Sequence, residues 1–370
     1  MKKISIILLH LNHGGIEKQT ITMANELSKN YEIEIISVYD FNNVAYKIND
    51  NIKVKYLTNL KPNKDVIIKF LKLKKFYKLT LECIKSLKIL ITANKNLKKF
   101  IKKSDSDIIF TTRIKHAEIL SKYGNSKKIR VTQEHNYVSD KRTLKKYKKI
   151  SHKLDNLVLM TQISKNEFKK YFPVEKIKVI PNMLDKIPKK KSTLNNNTIL
   201  GVGRLHPVKA FDEMIEVFNI VCKTNNKLKL KIVGDGSERA KLQKIIDNYK
   251  LNDKVVLTGM LSAQEVENEM LNSSLYLMTS LRECFPMVIL ESNACGVPVI
   301  SYKIKSGPLE TIKNGYNGYL VKNLNREEMA KKIIDYFSNN NKIVFSNNCR
   351  EFSNNFLSSR VVDQWKEIFK

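Results

Sequence analysis

The sequence predicts an α/β protein made of two doubly wound parallel-sheet domains. Strand-like apolar runs alternate with helical stretches, a pattern typical of parallel sheets covered by helices. A polar stretch at residues 188–197 is typical of a linker, and a second strand, loop and helix begin after it. The length, 370 residues, is enough for two domains with full cores.

The predicted strands of the first half are short apolar runs separated by helical stretches. They lie at Lys3–His10, Glu32–Val38, Val54–Leu57, Asp107–Thr112, Ile129–Gln133, Asn156–Thr161 and Ile177–Ile180. In such sheets ligands bind beyond the carboxyl ends of the strands. His135 stands just past one of these ends and is therefore a candidate site residue.

A glycine turn follows the first strand. Gly14 and Gly15 lie between that strand and a helical pattern that continues through Leu27. Two glycines let backbone amides approach a ligand closely, and a helix N-terminus favours phosphate. A tight strand-to-helix connection without a ligand explains the same two residues, so both interpretations stay open.

The stretch Val66–Lys103 is strongly basic and helical. Apolar residues recur there at steps of three and four, at Phe70, Leu73, Tyr77, Leu81, Ile84, Leu87 and Ile91, and lysines flank them at Lys74, Lys78, Lys85 and Lys88. Such a helix either docks on an anionic membrane or packs its apolar face on the domain's own sheet. The periodicity is the same in both cases.

The charge is concentrated in the first half. The net charge is +31, and residues 1–200 hold 43 Lys and Arg against 17 Asp and Glu. A field of this sign attracts polyanions or an anionic membrane, although a Lys-rich proteome gives a similar overall composition. No apolar run is long enough to span a bilayer, and the N-terminal run is too short for a secretory signal, so a cytoplasmic protein is expected.

The second half opens with a strand at Ile199–Val202 and a loop that enters a helix. Arg204 and Lys209 stand five residues apart in this loop, which allows both cations to reach one pyrophosphate. Two further strands end in the small-residue loops that begin at Gly234 and Gly259.

The stretch from Ser280 to Ile300 predicts a loop, a helix and a strand. Pro286 suits the first turn of a helix and Gly296 its C-terminal stop, so the helix is expected from about Pro286 to Cys295. Glu283 then lies just before the helix and Glu291 within it. Two carboxylates for hydroxyl groups, beside a helix end that favours phosphate, suit a sugar nucleotide.

With seven residues between Glu283 and Glu291, the segment SLRECFPMVILESNACGVPVI resembles the signature of the retaining glycosyltransferases of family four. The resemblance implies the GT-B fold, in which two Rossmann-like domains face each other across a cleft. It implies an acceptor-binding domain at residues 1–185, a nucleotide-sugar-binding domain at 186–358, and a C-terminal helix at 359–370 that returns to the first domain.

The same resemblance assigns the site. It implies catalytic roles for Glu283, which would contact the donor sugar, and for His135, near the sugar being transferred. A loop histidine that caps a neighbouring group is the alternative for His135. Binding of the donor nucleotide sugar is implied for Gly14, Gly15, Arg204, Lys209, Glu291, Phe285, Pro286 and Met287. No metal and no other cofactor are expected.

The implied function is transfer of a sugar from a UDP- or GDP-sugar to a saccharide or lipid-linked acceptor in capsule, lipopolysaccharide or other surface-glycan assembly. Configuration would be retained, by front-face attack or by double displacement with Glu283 as nucleophile. An anionic membrane surface is an expected partner, with the protein peripheral on the inner face of the cell membrane. Nucleic acid is not expected, because no reader motif or aromatic interleaving occurs.

Two departures from the family pattern put the identity of the donor in doubt. Cys284 stands where many similar sequences have glycine, and Lys303-Ile304-Lys305 replaces a less basic stretch. The rival function class is a basic two-domain protein that binds an anionic polymer or a membrane and catalyses nothing. Binding of a nucleotide sugar separates the two classes.

Overall fold

The computed structural model describes residues 1–339 and 342–370, which form two compact units. The first unit comprises Met1–Ile180 and Val362–Lys370, and the second comprises Pro181–Val361. Each unit contains a parallel sheet with helices packed on it, so the predicted α/β fold class is confirmed.

The first unit is built on a seven-stranded parallel sheet. Its strands are β1 (Lys3–Leu8), β2 (Glu32–Tyr39), β3 (Lys53–Thr58), β4 (Ile108–Thr111), β5 (Ile129–Gln133), β6 (Asn156–Leu159) and β7 (Ile177–Val179). They lie in the order β3-β2-β1-β4-β5-β6-β7. The chain therefore leaves β1 in one direction to make β2 and β3, and returns to the other side of β1 with β4.

The central strands of this sheet are mostly apolar because both of their faces are covered. β1 pairs with β2 on one side and with β4 on the other, with Ile6 opposite Ile35 and Phe110. All three of these side chains are fully buried. Continuous apolar runs of this kind are typical of buried parallel strands.

The helices of the first unit alternate with the strands except that β2 leads directly to β3 and two helices lie between β3 and β4. They are α1 (Gly15–Leu27), α2 (Lys64–Lys72), α3 (Phe76–Lys103), α4 (Ile114–Tyr123), α5 (Lys141–Ile150) and α6 (Gln162–Phe168). Only the second half of α3 is packed, through Ile89, Ala93, Leu97 and Ile101. The prediction that the basic stretch Val66–Lys103 is helical is confirmed, and the structure divides it into α2 and α3.

The apolar stripe predicted on α3 does not pack on the domain's own sheet. Tyr77, Leu81, Ile84, Leu87 and Ile91 of the predicted stripe are all exposed, and so is the neighbouring Phe76; these six residues are here called the apolar ridge. The alternative of a packed stripe was therefore wrong for these residues. The buried residues of α3 and the exposed residues of the apolar ridge both recur with helical spacing. Periodicity alone could therefore not tell the buried face from the exposed one.

The second unit is built on a six-stranded parallel sheet. Its strands are β8 (Thr198–Val202), β9 (Lys229–Val233), β10 (Val255–Gly259), β11 (Leu275–Met278), β12 (Val299–Lys303) and β13 (Gly318–Lys322), in the order β10-β9-β8-β11-β12-β13. Its helices are α7 (Phe211–Thr224), α8 (Arg239–Asn248), α9 (Ala263–Leu271), α10 (Met287–Ala294), α11 (Pro308–Thr311), α12 (Arg326–Ser338) and α13 (Lys342–Asn354). Two buried apolar clusters cover the sheet, one around Phe218 and one around Ile289.

The last helix, α14 (Ser358–Phe369), starts in the second unit and contributes its residues from Val362 to the first. Trp365 is buried, and its ring meets that of Phe110 edge-on with centroids 5.4 Å apart. Phe369 stacks on Trp365 at 5.9 Å. This aromatic group ties the end of the chain to β4.

In the part of the chain that the structure describes, no helix is both long and apolar enough to cross a membrane.

Candidate active site

The second sheet has a topological switch point between β8 and β11, because the chain runs outward from β8 on one side and from β11 on the other. Ligands of open α/β sheets bind at such points, beyond the carboxyl ends of the strands. The loop after β8 carries Arg204 and Lys209, and the loop after β11 carries Glu283. The fold thereby brings together residues that are about 75 positions apart in the sequence.

Lys209 and Glu283 form an ion pair at this switch point. The Lys209 Nζ donates to Glu283 Oε1 at 2.6 Å, and both side chains are mostly buried. Backbone contacts hold the two loops in place, since Leu281 N donates to the Val208 carbonyl at 2.8 Å. The pair places one cation and one carboxylate side by side, as recognition of a phosphate next to sugar hydroxyls requires.

Arg204 is exposed, and its guanidinium makes no hydrogen bond or ion pair with any residue in 1–339 or 342–370. The backbone beside it is nevertheless fixed, because Leu205 N donates to the Asp235 carbonyl at 2.9 Å. A rigid loop with an uncommitted guanidinium is well suited to binding an anion.

The helix predicted after Glu283 is confirmed to within one residue at each end. α10 begins at Met287 with Pro286 as its N-cap residue and ends at Ala294. Glu291 is half-buried on this helix. Phe285 is buried against Phe356, with ring centroids 5.7 Å apart.

Tyr276, on β11, is a structural residue that the sequence did not reveal. Its hydroxyl donates to the Val202 carbonyl at 3.1 Å and accepts from the Val202 N–H at 3.3 Å, so it fixes the end of β8. Burial raises the pKa of Tyr276 and keeps the phenol neutral. A small cavity beside it is lined by Lys209, Phe211, Thr279, Ser280 and Glu283, among others.

His135, in the first unit, lies just past the end of β5 and is buried. Its Nε2 has no hydrogen-bond partner in residues 1–339 and 342–370. Burial, with the positive charge of Arg113 adding to it, lowers the pKa of His135 to about 3, so the imidazole is neutral. The preceding Glu134 accepts from the Tyr147 hydroxyl at 2.7 Å, which anchors this loop.

Gly14 and Gly15 lie at the start of α1, after β1. A Cβ on Gly15 would meet nothing within 4 Å, so the backbone there is open to a ligand. A Cβ on Gly14 would instead collide with the carboxylate of Glu17, which folds back beside it. This helix end, expected to face a phosphate, has a carboxylate of its own chain next to it.

The Glu17 carboxylate belongs to a second ion pair, which the sequence did not reveal. Arg113 Nη2 donates to Glu17 Oε1 at 3.3 Å, and His10 Nδ1 lies 3.8 Å from the same oxygen. Arg113 follows β4 and Glu17 lies on the helix after β1. The strands β1 and β4 are neighbours in the sheet. The sequence showed only that a polar residue follows each of these two strands. Recognising that the two residues meet also required the order of the strands in the sheet.

The predicted site residues fall into two groups, one in each unit. Arg204, Lys209, Glu283, Phe285, Pro286, Met287 and Glu291 belong to the second unit, and Gly14, Gly15 and His135 belong to the first. The described residues contain no group of three or more His, Cys, Asp or Glu arranged to hold a metal ion.

Two Rossmann-like parallel sheets in one chain, each with its own switch point, are the architecture of the GT-B fold. Residues 183–355, which make up most of the second unit, match the family model described as glycosyl transferases group 1.

Curated relatives agree with this assignment. The chain is 27% identical over the full length of both chains to an uncharacterized glycosyltransferase of Haemophilus influenzae. It is 28% identical, over 74% of its own length, to the poly(ribitol-phosphate) alpha-N-acetylglucosaminyltransferase of Staphylococcus aureus. It spans 57% of that relative, and 39% of an exopolysaccharide phosphotransferase of Streptomyces coelicolor that is 26% identical.

Solved structures share the fold at low sequence identity. The TarM structure from S. aureus with bound UDP superimposes with a TM-score of 0.79 at 18% identity and covers 100% of both chains. Sucrose-phosphate synthase from Thermosynechococcus elongatus superimposes with a TM-score of 0.81 at 15% identity, over 100% of this chain and 98% of that one. These likenesses establish the two-domain fold.

Proposed function

We propose that the protein transfers a sugar from a UDP-sugar to a lipid-linked saccharide, with retention of configuration and without a metal ion, in the assembly of a cell-surface polysaccharide. The observation that carries this proposal is the Lys209–Glu283 pair at the switch point of the second sheet, beside the unpartnered Arg204. The UDP bound in the TarM structure supports UDP over GDP.

The acceptor class is proposed from the relatives. A full-length relative from Campylobacter jejuni, 24% identical over 98% of its length, is named for a saccharide on PP-undecaprenol to which it adds N-acetylgalactosamine. The resemblance in both units supports an acceptor of the same kind, a saccharide on a lipid diphosphate, for the present protein.

The chemistry follows from the charges. As the bond to the sugar breaks, the diphosphate gains negative charge, and fixed cations stabilise that charge. Arg204, Lys209 and the N-terminus of α10 supply positive charge and N–H dipoles where a metal ion would otherwise act. Glu283 holds donor hydroxyls and Glu291 the ribose. His135 is the proposed first-unit residue near the transferred sugar, with Gly14 and Gly15 bordering the donor.

Retention fits front-face attack, in which a phosphate oxygen of the leaving group takes the proton of the acceptor hydroxyl. The Lys209 ammonium, 2.6 Å from Glu283, lowers the tendency of that carboxylate to act as a nucleophile. This contact supports a binding role for Glu283 and disfavours double displacement.

The test is a thermal-shift titration with UDP, GDP and ADP and their sugars in the presence of EDTA. A ligand present at about 100 times its Kd stabilises the folded state by about 2.7 kcal/mol. We expect UDP and one UDP-sugar to raise the Tm by several degrees, and Arg204→Ala and Glu291→Ala to lose this response.

Arg204→Ala is informative because the exposed guanidinium has no partner in residues 1–339 and 342–370 whose loss would unfold the protein. Lys227→Ala is the matched control, because this exposed lysine lies before β9, at the amino ends of the strands and away from the switch-point loops. A wild-type protein that responds to no nucleotide, or a response that survives both site variants, contradicts the proposed donor site. Loss of turnover in EDTA contradicts metal independence.

We further propose that the protein works in the cytoplasm, bound peripherally to the inner face of the cell membrane through α2 and α3. The six side chains of the apolar ridge are exposed, with Tyr77 at 78%. Along the same side of α3, the helix continues with Lys95, Lys98 and Lys102. An apolar half that enters the headgroup region and a cationic half that meets anionic headgroups match a lipid surface.

Vesicle flotation tests this attachment. Ile84→Ser with Leu87→Ser should reduce binding to vesicles of phosphatidylglycerol and phosphatidylcholine about tenfold or more, because two inserted side chains are lost. Val256→Ser with Val344→Ser is the matched control, since these valines are similarly exposed in the second unit. Equal binding of both double variants, or self-association through the ridge instead of lipid binding, contradicts the proposal.

A further inference from the structure

The first unit has a switch point of its own, between β1 and β4. The Glu17–Arg113 ion pair lies there, because Glu17 follows β1 and Arg113 follows β4. The second unit holds the Lys209–Glu283 pair at the equivalent place, between β8 and β11. The position that binds ligands in open α/β sheets is therefore equipped with a carboxylate and a cation in both units.

Several buried polar atoms at this end of the first sheet have no hydrogen-bond partner within residues 1–339 and 342–370. They are His10 Nδ1, Asn12 Oδ1, Arg113 Nε, His116 Nδ1 and His135 Nε2. Each unpaired buried polar atom costs about 1–3 kcal/mol. Such atoms are rare in folded proteins, so a group of them after three neighbouring strands indicates that a ligand completes their hydrogen bonds.

The charges of this group define the ligand. Arg113 offsets Glu17, and its positive charge reaches all three histidines. Burial, followed by the charge of Arg113, lowers the pKa of His116 to about 4, so this imidazole is neutral, as is that of His135. The charges of Glu17 and Arg113 cancel within their ion pair, and Lys115 adds one further positive charge that reaches His116.

The hydrogen-bonding atoms of this site include both donors and acceptors. Arg113 Nε can only donate, whereas Asn12 Oδ1 and the Glu17 carboxylate can only accept. A phosphate offers acceptors alone, and the Glu17 carboxylate beside Gly14 repels it. Sugar hydroxyls both donate and accept, so they can pair with all three of these groups.

We propose that Glu17 and Arg113 form a binding site for the hydroxyl groups of a neutral sugar residue of the acceptor. This proposal rests on the proposed function, since it names what the first unit recognises. It places the sugar of the acceptor, and not its lipid diphosphate, at the switch point. Glu17 and Arg113 orient that sugar by accepting from and donating to its hydroxyls.

Saturation-transfer NMR with methyl glycosides of N-acetylglucosamine, N-acetylgalactosamine, glucose and galactose, in the presence of UDP, tests the site. We expect signals from at least one glycoside, and Glu17→Gln and Arg113→Gln should weaken its binding about tenfold or more, as loss of a hydrogen bond to a charged group does. Asp155→Asn is the control, because it breaks an Arg130–Asp155 pair of the same 3.3 Å length at the amino ends of β5 and β6.

Three results overturn the proposal: no glycoside signal from the wild-type protein, binding that both site variants retain, or inorganic phosphate that binds in an Arg113-dependent way and displaces the glycoside. The UDP-induced rise in Tm is recorded on every sample. If UDP still stabilises the protein, failure concerns the sugar site alone. If UDP stabilises neither the wild type nor the variants, the proposed function itself has failed.

Discussion

Gly307 precedes α11 at a point where the chain passes very close to the donor site. Its φ is +78°, and a Cβ there would lie 2.9 Å from the Cβ of Glu283 and 3.0 Å from the Cδ of Pro286. Only glycine adopts this φ without strain and leaves room for both neighbours. The position of Glu283 therefore depends on a residue that contributes no side chain.

We predict that Gly307→Ala destabilises the protein by about 1–2 kcal/mol from backbone strain and also weakens UDP-sugar binding, because Glu283 must shift. Gly315→Ala is the control, since its φ is +79° and a Cβ there meets nothing within 4 Å. Thermal unfolding with and without the ligand separates the two effects. Equal ligand responses in the two variants contradict the prediction.

The buried histidines make stability depend on pH. The pKa values of His116 and His135 are lowered by burial to about 4 and about 3. Unfolded histidine titrates near about 6.5, so below that pH the unfolded chain binds protons that the folded chain does not. Stability is therefore full above about pH 6.5 and is lost on acidification, by about 1.4 kcal/mol per histidine per pH unit.

Urea unfolding at about pH 7.5 and about pH 5.5 measures this loss. We expect His116→Gln to lose less stability than the wild type between the two values, because one proton fewer is taken up on unfolding. The same loss in both proteins contradicts a neutral, buried His116.

At the scale of residues, the sequence could single out candidate residues for a second-unit site and could not single out the first-unit ion pair. Glu283 and Glu291 lie on one short segment whose proline and glycine mark the ends of a helix. Lys209 lies on a loop that can be recognised because it follows a predicted strand. Glu17 and Arg113 are 96 residues apart, and their contact depends on β4 returning to the side of β1. That strand order is a property of the sheet, so no local pattern contains it.

Among the elements, α14 is anchored by a large buried aromatic side chain. Trp365 is 2% exposed and contacts the rings of Phe110 and Phe369. We predict that Trp365→Ala lowers the free energy of unfolding by about 3–5 kcal/mol, as removal of a large buried aromatic side chain does.

Lys366→Ala is the control for that variant, because its partner Asp363 is a surface residue on the same helix. Such pairs contribute about 0.3–0.5 kcal/mol. Chemical denaturation of both variants is the measurement, and a loss below about 1 kcal/mol for Trp365→Ala contradicts an anchoring role.

The element-scale prediction from sequence was strongest where apolar runs had clear ends and weakest along α3. Strands such as Glu32–Val38 were confirmed to within about a residue, because turn residues bound them. On α3 the buried residues and the exposed ridge both recur with helical spacing. Which of two such faces is covered depends on partners distant in the sequence.

For the whole molecule, the dominant quantity is the net charge of +31. Like charges repel one another more in the compact state than in the unfolded chain, and salt screens this repulsion. We predict that raising NaCl from about 0.05 M to about 0.5 M increases the Tm by several degrees. Sodium chloride is preferred to sulfate, which strengthens apolar burial as well. An unchanged or lower Tm contradicts the prediction.

The segment formed by residues 64–88, which comprises α2 and the start of α3, contains no buried residue. Neither sheet relies on it for its core, so its sequence and length can change at little folding cost. If the apolar ridge holds the protein at the membrane, as proposed, exchanging this segment for that of another protein changes the attachment and leaves the residues of the second-unit site unchanged. Membrane attachment and sugar transfer could then be altered independently.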